Sequence, residues 1–364
     1  MKLTAALTVV LACAVSACAV SHAGGRDSSV PLRGDTSARA ALLRHAHVWR
    51  PTPIKSMDLK RGPQGRGAFA PGARVTCDFV ERDLSGKSPK FACRIGADDE
   101  VKVKFGGTNG EVYGEVLATR LLWALGFGAD RMYPVNVICR GCPREFAGIE
   151  RPGNESRFSP AVIERKMPGA EWDGDEQPGW RWDELALIDA EAGGASRAHR
   201  DALTLLAVFL QHTDSKRVQQ RIVCLGESAE KARNTCSRPF LMVSDVGLTF
   251  GRAHWANAND HASVNLVEWQ RTPVWREDAR CVGNLPKSFT GTLHEPVISE
   301  AGRQFLAGLL MQLSDRQLHD LFEVSQVKHR LRNPLDVSSG FPTVDEWVTA
   351  FKQKRVEIVN RRCA

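Results

Sequence analysis

Apolar and polar residues alternate with a period of two in several segments of the first half of the chain, which predicts β-strands. In the segment Val101–Phe105, Lys102 and Lys104 are two positions apart, so both side chains lie on one face of the strand. The turn-forming residues 85–89 predict a hairpin between the first two strands. The predicted strands cover residues 75–80, 91–95, 101–105, 133–139, 161–164 and 239–243.

Other segments have the composition and spacing of helices. Glu111–Leu125 consists of good helix formers and is followed by Gly126, which predicts the end of a helix. The segment His199–Gln211 is apolar almost all round and predicts a buried helix. In the C-terminal third, Ser314 and Thr343 each precede Gln or Glu by three positions, the spacing of a capping box.

Strands in the first half and helices in the second predict an α+β fold with two lobes. We expect a small β-rich N-lobe over residues 73–165 and a larger helical C-lobe over residues 166–364. The chain has 364 residues, of which 43% are hydrophobic and 25% charged, as in ordinary globular proteins, so a folded core is expected. The sequence shows no repeat, which excludes collagen, coiled coils and solenoids.

Positive charge is concentrated near the N-terminus. Residues 24–75 carry ten Lys and Arg against three acids, whereas residues 76–364 carry 38 basic and 39 acidic groups. A near-neutral body argues against nucleic-acid binding, which needs a basic face. We interpret residues 24–72, rich in Gly and Pro, as a basic tether.

The first 23 residues have the pattern of a signal peptide: Lys2 followed by an apolar stretch that is too short for a membrane span. Two cleavage sites compete. The segment Val15-Ser16-Ala17-Cys18 resembles a bacterial lipobox, whereas Ser21-His22-Ala23 fits the ordinary signal peptidase. We favour the lipobox because Cys18 directly follows the apolar stretch. The chain is therefore predicted to be a lipoprotein of the cell envelope or periplasm, anchored to the membrane by lipidated Cys18.

Eight cysteines remain outside the signal peptide, an even number that suggests disulfides in an exported protein. Pairing of cysteines that are neighbours along the chain, called local pairing here, is one of many connectivities that the sequence allows. Alternatively, Cys139 and Cys142 form a redox motif, or half of a zinc site with Cys77 and Cys93. Local pairing would join Cys77 to Cys93, Cys139 to Cys142, Cys224 to Cys236 and Cys281 to Cys363.

Several polar residues follow each other in an order that suggests phosphoryl transfer. A strand Lys can bind nucleotide phosphates and be held by a helix carboxylate. An Asp after a buried helix can orient an acceptor, with a Lys nearby, and an amide and a second Asp can bind Mg²⁺. Alternatively, the two lysines lie on the solvated face of an edge strand. The candidates are Lys104 and Glu115 for the cofactor, Asp214 and Lys216 for catalysis, and Gln219 and Asp245 for the metal.

The segments around these residues carry a family resemblance. Val103–Gly106, Glu115–Gly126, His212–Lys216 and Ser244–Gly251 resemble uncharacterised exported bacterial proteins, which in turn look distantly like atypical kinases of the phosphatidylinositol-kinase and HipA type. The resemblance covers about residues 75 to 325. It implies a two-lobed protein-kinase-like fold with ATP and Mg²⁺ between the lobes. It also assigns the nucleotide Lys, its partner, the catalytic Asp and the metal Asp to Lys104, Glu115, Asp214 and Asp245.

The chain departs from the kinase pattern at three places. The segment His212-Thr213-Asp214 lacks the usual Arg, and Gln219 stands where Asn is normal. The extra methylene of Gln moves its oxygen, and octahedral Mg²⁺ tolerates such a shift poorly. By position, the only candidate for a glycine-rich nucleotide loop is Ser85-Gly86-Lys87-Ser88. These departures bear on activity more than on fold.

Two functions therefore follow from the sequence. The first is ATP- and Mg²⁺-dependent phosphoryl or nucleotidyl transfer to an acceptor that the sequence does not identify. The second is a catalytically silent kinase-like fold that serves as a disulfide-stabilised envelope scaffold or binding lipoprotein. Export favours the second, because ATP is scarce outside the cytoplasm.

Overall fold

The structure is a computed structural model of the chain. The predicted signal peptide, including Cys18, and residues 24–35 lie outside the described part. The structure describes residues 36–143, 145–146, 149–150, 155–172, 178–226, 236–251, 263–277 and 280–363.

The described part is a mixture of strands and α-helices. The strands are β1 (Ala73–Val80), β2 (Lys90–Gly96), β3 (Asp99–Phe105), β4 (Gly128–Ala129), β5 (Arg131–Arg140), β6 (Glu145–Phe146), β7 (Ile149–Glu150), β8 (Glu155–Arg165), β9 (Ala170–Glu171), β10 (Gln220–Cys224) and β11 (Pro239–Val243). The α-helices are α1 (Thr36–Arg44), α2 (Gly110–Leu125), α3 (Arg197–Leu210), α4 (Leu266–Arg271), α5 (Glu300–Leu310), α6 (Asp315–Val324) and α7 (Val344–Asn360).

Five strands close into a barrel in the order β1-β2-β3-β8-β5. Strand β3 pairs with β2 on one side and β8 on the other, so it is not an edge strand. Its alternate side chains Val101, Val103 and Phe105 fill the barrel interior. Period-two alternation therefore places Lys102 and Lys104 together on the outer face of the barrel.

A second sheet has the order β4-β11-β10-β9. Strands β10 and β11 are antiparallel, and all five residues of each are buried. Helices α3, α5, α6 and α7 share one large hydrophobic core with this sheet and with α2. Strand β11 ends just before Asp245, and α3 ends just before His212, so the second sheet and α3 together position the polar segments that follow them.

The predicted helices form close to the expected positions. Helix α2 ends at Gly126, whose φ of 86° is the left-handed conformation that glycine adopts without strain. Helices α6 and α7 begin with the capping boxes predicted at Ser314 and Thr343, in which both reciprocal hydrogen bonds form. Local sequence signals therefore set these boundaries.

The tether predicted over residues 24–72 needs correction from Thr36 onward. Residues 36–44 form α1, and Leu43, Val48, Ile54 and Leu59 are buried in the main core. The backbone of this segment also contacts α6, since Gln317 Nε2 donates a hydrogen bond to Ile54 O at 2.6 Å. Its Gly, Pro and Arg content suggested a solvated linker, but its widely spaced apolar residues reach the core.

The cysteines form four disulfides in the local pairing. They are Cys77–Cys93, Cys139–Cys142, Cys224–Cys236 and Cys281–Cys363. Cys77, Cys93, Cys139 and Cys142 are thus oxidised in pairs, so the zinc site considered for them is wrong. Four disulfides are typical of an oxidising, exported location.

Among the helices of the described ranges, none combines the length and the apolar character that a membrane span requires.

The disulfides differ in the length of chain that they close, and this predicts different contributions to stability. Cys281 and Cys363 are 82 residues apart, whereas Cys139 and Cys142 are three apart. By loop-closure entropy, replacing the first pair with Ser should lower the free energy of unfolding by about 4–5 kcal/mol, and replacing the second pair by about 2 kcal/mol or less. Urea unfolding of both double variants tests this. Equal losses would contradict the entropic account, because all four cysteines are buried.

Candidate functional site

Lys104, the next-to-last residue of β3, has its ammonium group buried among three carboxylates. Its side chain is 3% exposed. Its Nζ donates to Glu115 Oε1 in a very short contact and to Glu111 Oε2 at 2.8 Å. Asp245 Oδ1 lies 3.8 Å away. The Lys104–Glu115 pair expected from the sequence is present, and Glu111 joins it.

Local structure explains why two glutamates reach this lysine. After β3, a short turn leads directly into α2, whose N-cap is Asn109: its Oδ1 accepts a hydrogen bond from Glu111 N at 3.2 Å. Glu111 and Glu115 are four residues apart, so they lie one above the other on one face of the helix. That face is turned toward the end of β3.

The electrostatics of the cluster favour a charged Lys104. Burial by itself would lower the pKa of Lys104, but Asp245, Glu115 and Glu111 outweigh this, and the pKa is raised well above its ordinary value. Burial and the neighbouring carboxylates raise the pKa of Glu115. Desolvation by itself would raise the pKa of Asp245, whose side chain is 38% exposed, but the charges of Lys104 and Lys102 outweigh it and lower the pKa to about 2. Three carboxylates face one ammonium group, so the cluster has an excess of negative charge.

A second group of residues lies beside Asp245. Asp214 follows α3 and is buried, and its Oδ2 accepts a hydrogen bond from Gln219 Nε2 at 2.6 Å. The same amide nitrogen donates to Asp245 Oδ2 at 3.3 Å. Lys216 Nζ lies 3.2 Å from Asp214 Oδ1. A backbone hydrogen bond fixes the position of Gln219, since Ser244 N donates to Gln219 O at 2.8 Å.

The structure therefore brings all six candidate residues into one connected cluster. They come from four places that are far apart in the sequence: the end of β3, the start of α2, the loop between α3 and β10, and the end of β11. Glu111 is not among the six candidates, although the sequence carries one signal for it, its i,i+4 spacing to Glu115.

The three carboxylates around Lys104 are close enough to one another that they could hold a metal ion. One oxygen each from Glu111, Glu115 and Asp245 lies within 4.8 Å of the others. Within the described residues, Glu115 Oε2 and Gln219 Oε1 are buried without a hydrogen-bond partner. Carboxylate and amide oxygens are the ligands that Mg²⁺ prefers. Asp245 fits the predicted metal-binding role, whereas Gln219 presents its amide nitrogen to the two aspartates and would have to rotate to offer its oxygen.

His212 lies two residues before Asp214 and is 1% exposed. In the described part of the chain, neither ring nitrogen has a hydrogen-bond partner. Burial is the main cause that lowers the pKa of His212 to about 4, against a weaker opposing effect of Asp245. The imidazole therefore stays neutral at physiological pH.

A cavity of about 1130 Å³ lies on the outer side of the barrel, where Lys102 lines it but none of the six candidate residues does. Ala92, Lys102 and Glu164 line it, together with Leu84 and Ser85 of the turn between β1 and β2. Lys102 forms a short ion pair with Glu164, its neighbour across the β3–β8 ladder. The cavity is large enough for a nucleotide-sized ligand.

Replacing Lys104 with Met should destabilise the protein in a pH-dependent way. At pH 7 the variant leaves three carboxylates without their cation, and we expect the free energy of unfolding to fall by about 3–5 kcal/mol. Without Lys104, the folded-state pKa values of these acids rise above their unfolded values near 4, so protonation relieves the repulsion. The deficit should therefore shrink between pH 7 and pH 5.

Urea unfolding of the Lys104→Met variant and of an exposed control, Lys55→Met, at both pH values measures this effect. In the wild type, the stabilisation from the low pKa of Asp245 is present above about pH 4 and is lost as the pH falls through about 2. A deficit that is the same at pH 7 and pH 5 would contradict the assignment of Lys104 as the counter-charge.

The neutral His212 predicts a loss of stability in mild acid. The unfolded chain binds a proton at this residue near pH 6.5, whereas the folded protein does so only near pH 4. Stability therefore rises with pH across this window, by about 3 kcal/mol from this group. In His212→Asn, the dependence of the unfolding free energy on pH between 6.5 and 4.5 should be flatter than in the wild type. The exposed control His294→Asn should keep the wild-type slope, and an unchanged slope in His212→Asn would refute the prediction.

Comparison with known proteins gives a distant structural similarity. No family model matches the chain, and no curated protein matches it. The crystal structure of a Helicobacter pylori proinflammatory kinase, CtkA, is similar over 80% of this chain and 96% of that chain, with a TM-score of 0.44 and 9% sequence identity. This similarity is too low to carry an argument about substrate or mechanism, so the function has to be inferred from the geometry of the site.

Proposed function

We propose that this protein is an exported phosphotransferase with a two-lobed kinase-like fold, which binds a nucleotide such as ATP together with Mg²⁺ and transfers a phosphoryl or nucleotidyl group. The observation that carries the proposal is the convergence of Lys104, Glu115, Asp214 and Asp245 in one cluster, in which the first three are buried and Asp245 is partly exposed. In this proposal, the barrel is the N-lobe and the helical region is the C-lobe. The cavity beside Lys102 accommodates the rest of the nucleotide.

Each residue of the cluster has a chemical role that its surroundings support. Lys104 donates to phosphate oxygens, and Glu115 orients the ammonium group. Burial is the main cause that raises the pKa of Asp214, which suits a group that accepts a proton from an acceptor hydroxyl. Lys216, next to Asp214, stabilises negative charge on the transferred group.

The excess of carboxylates suits a bound cation. Glu111 and Asp245 hold it through their oxygens, and Gln219 can join them after rotation of its amide. Such a cation, when bound, neutralises the charge of the phosphate groups. The charge of Lys104 is then free to act on the ligand, because a divalent cation satisfies the carboxylates that surround it.

Location outside the cytoplasm is part of the proposal. The four disulfides fit an exported protein. We further propose that Cys18 carries the lipid and that residues between Cys18 and Thr36 connect the folded part to the membrane. The acceptor then lies in the cell envelope.

The orientation of Gln219 favours a second candidate, a catalytically silent scaffold. Its amide nitrogen donates to both Asp214 and Asp245, which ties the two acids together without a metal. In this second candidate, the cluster only stabilises the kinase-like fold, and the protein binds other components of the cell envelope.

Thermal unfolding of the oxidised protein with and without excess MgATP or MnATP distinguishes the two candidates. A ligand at about 100 times its dissociation constant stabilises the native state by about 2.7 kcal/mol, which shifts the midpoint by a few degrees in a chain of this size. We expect a metal-dependent shift that is absent in Asp245→Ala. No shift at millimolar nucleotide would refute nucleotide binding and favour the scaffold.

A further inference from the structure

A second lysine lies beside Lys104 on the outer face of the barrel. Lys90, the first residue of β2, is the direct cross-strand partner of Lys104 in the antiparallel β2–β3 ladder. Directly opposed residues have Cβ atoms about 5 Å apart and point to the same side of the sheet. Like charges in this arrangement are unfavourable unless negative charge lies near both.

Lys90 differs from the other two lysines of this face in its partners. Lys104 is paired with Glu111 and Glu115, and Lys102 is paired with Glu164. In the described part of the chain, the Lys90 ammonium group donates one hydrogen bond, to Ser88 Oγ at 3.4 Å, and makes no ion pair. The half-buried Lys90 is thus the lysine of the three that has no carboxylate within ion-pair distance.

The turn between β1 and β2 lies directly over this ammonium group. Gly86 has a φ of 90°, and a Cβ added to it would stand 2.8 Å from Lys90 Nζ. The turn lies close to the cluster, because Ser88 is buried and its hydroxyl helps to lower the pKa of Glu111. The Lys90 ammonium group therefore lies next to the turn, on the face of the barrel that also carries Lys104, and the residue is half-buried.

The pKa of Lys90 indicates that its positive charge is poorly compensated and that a bound anion would stabilise it. Burial, and after it the charge of Lys104, lower the pKa of Lys90, while Glu111 and Asp245 oppose these effects. Its charged form is therefore less well compensated than that of a solvated lysine. A phosphate group between the two lysines would bring negative charge within reach of both.

We propose that Lys90 is a second phosphate-binding lysine, which acts with Lys104 to bind the diphosphate or triphosphate part of the ligand beneath the turn formed by residues 85–88. The inference rests on the proposed function and deepens it, since it assigns a binding role to a residue outside the six candidates. It also gives a role to the Ser-Gly-Lys-Ser turn: Gly86 lets the backbone approach the ammonium group closely.

Isothermal titration of the oxidised protein with magnesium pyrophosphate and with MgATP, at fixed ionic strength, tests this role. We expect Lys90→Met to weaken the binding of both ligands by about tenfold or more, the usual effect of losing a charged hydrogen bond. The control is Lys55→Met, since Lys55 is an exposed lysine outside the proposed site. It should change either affinity by less than about twofold.

The outcomes separate this inference from the function on which it rests. Binding of both ligands by Lys90→Met with wild-type affinity would overturn the role of Lys90 while leaving the nucleotide site standing. Weaker binding of MgATP alone would overturn the phosphate assignment, because pyrophosphate has no nucleoside. Wild-type protein that binds pyrophosphate but not MgATP would refute the nucleotide proposal alone, and wild-type protein that binds neither would refute both.

A measurement without substitutions guards against misfolding of the variant. Lysine acetylation of the wild type, read by mass spectrometry, should be slowed at Lys90 by magnesium pyrophosphate and unchanged at the exposed Lys55. Equal modification of Lys90 with and without pyrophosphate, under conditions where titration shows binding, would contradict the proposal.

Discussion

The buried ammonium group of Lys104 is the constraint on which the rest of the site depends. A lysine that is 3% exposed remains charged only if carboxylates surround it, and here Glu111, Glu115 and Asp245 do so. These three acids belong to α2 and to the end of β11, so the barrel, the helix and the second sheet have to meet at one point. The result is a cluster with more negative than positive charge, which suits a divalent cation, and such a cation in turn offsets the repulsion between the carboxylates and a phosphate ligand.

Hydrogen bonds from elsewhere in the fold fix the positions of α2 and of the end of β11. The segment before β1 forms two hydrogen bonds with α2. Trp49 Nε1 donates to Leu125 O at 2.8 Å, and the buried Arg120 of α2 donates to Leu59 O at 2.6 Å. At the end of β11, Ser244 Oγ donates to the buried Asp130 at 2.8 Å, and Asp130 is also paired with Arg221. Residues that looked like a tether in the sequence thus fix the helix that carries both glutamates.

These features support a phosphate-binding site more directly than they support catalysis. Lys104 and the carboxylate cluster are fully assembled, and Lys90 adds a second cation under the turn at Gly86. Gln219 is different, because its amide nitrogen bridges Asp214 and Asp245 where a metal ligand would offer oxygen. The orientation of this one amide is what distinguishes a silent site from one ready for a metal.

The sequence by itself determined the features that depend on near neighbours. These are the strands with period two, the capped helices and the order of the candidate residues, whereas the sequence left the disulfide pairing open. The tertiary structure alone decided which residues meet. It places Glu111 beside Lys104, packs residues 36–72 against the core, and directs the Gln219 amide nitrogen toward the two aspartates. The physical reason is that burial and charge pairing depend on elements distant in the sequence, whereas helix and strand propensities depend on the residues beside them.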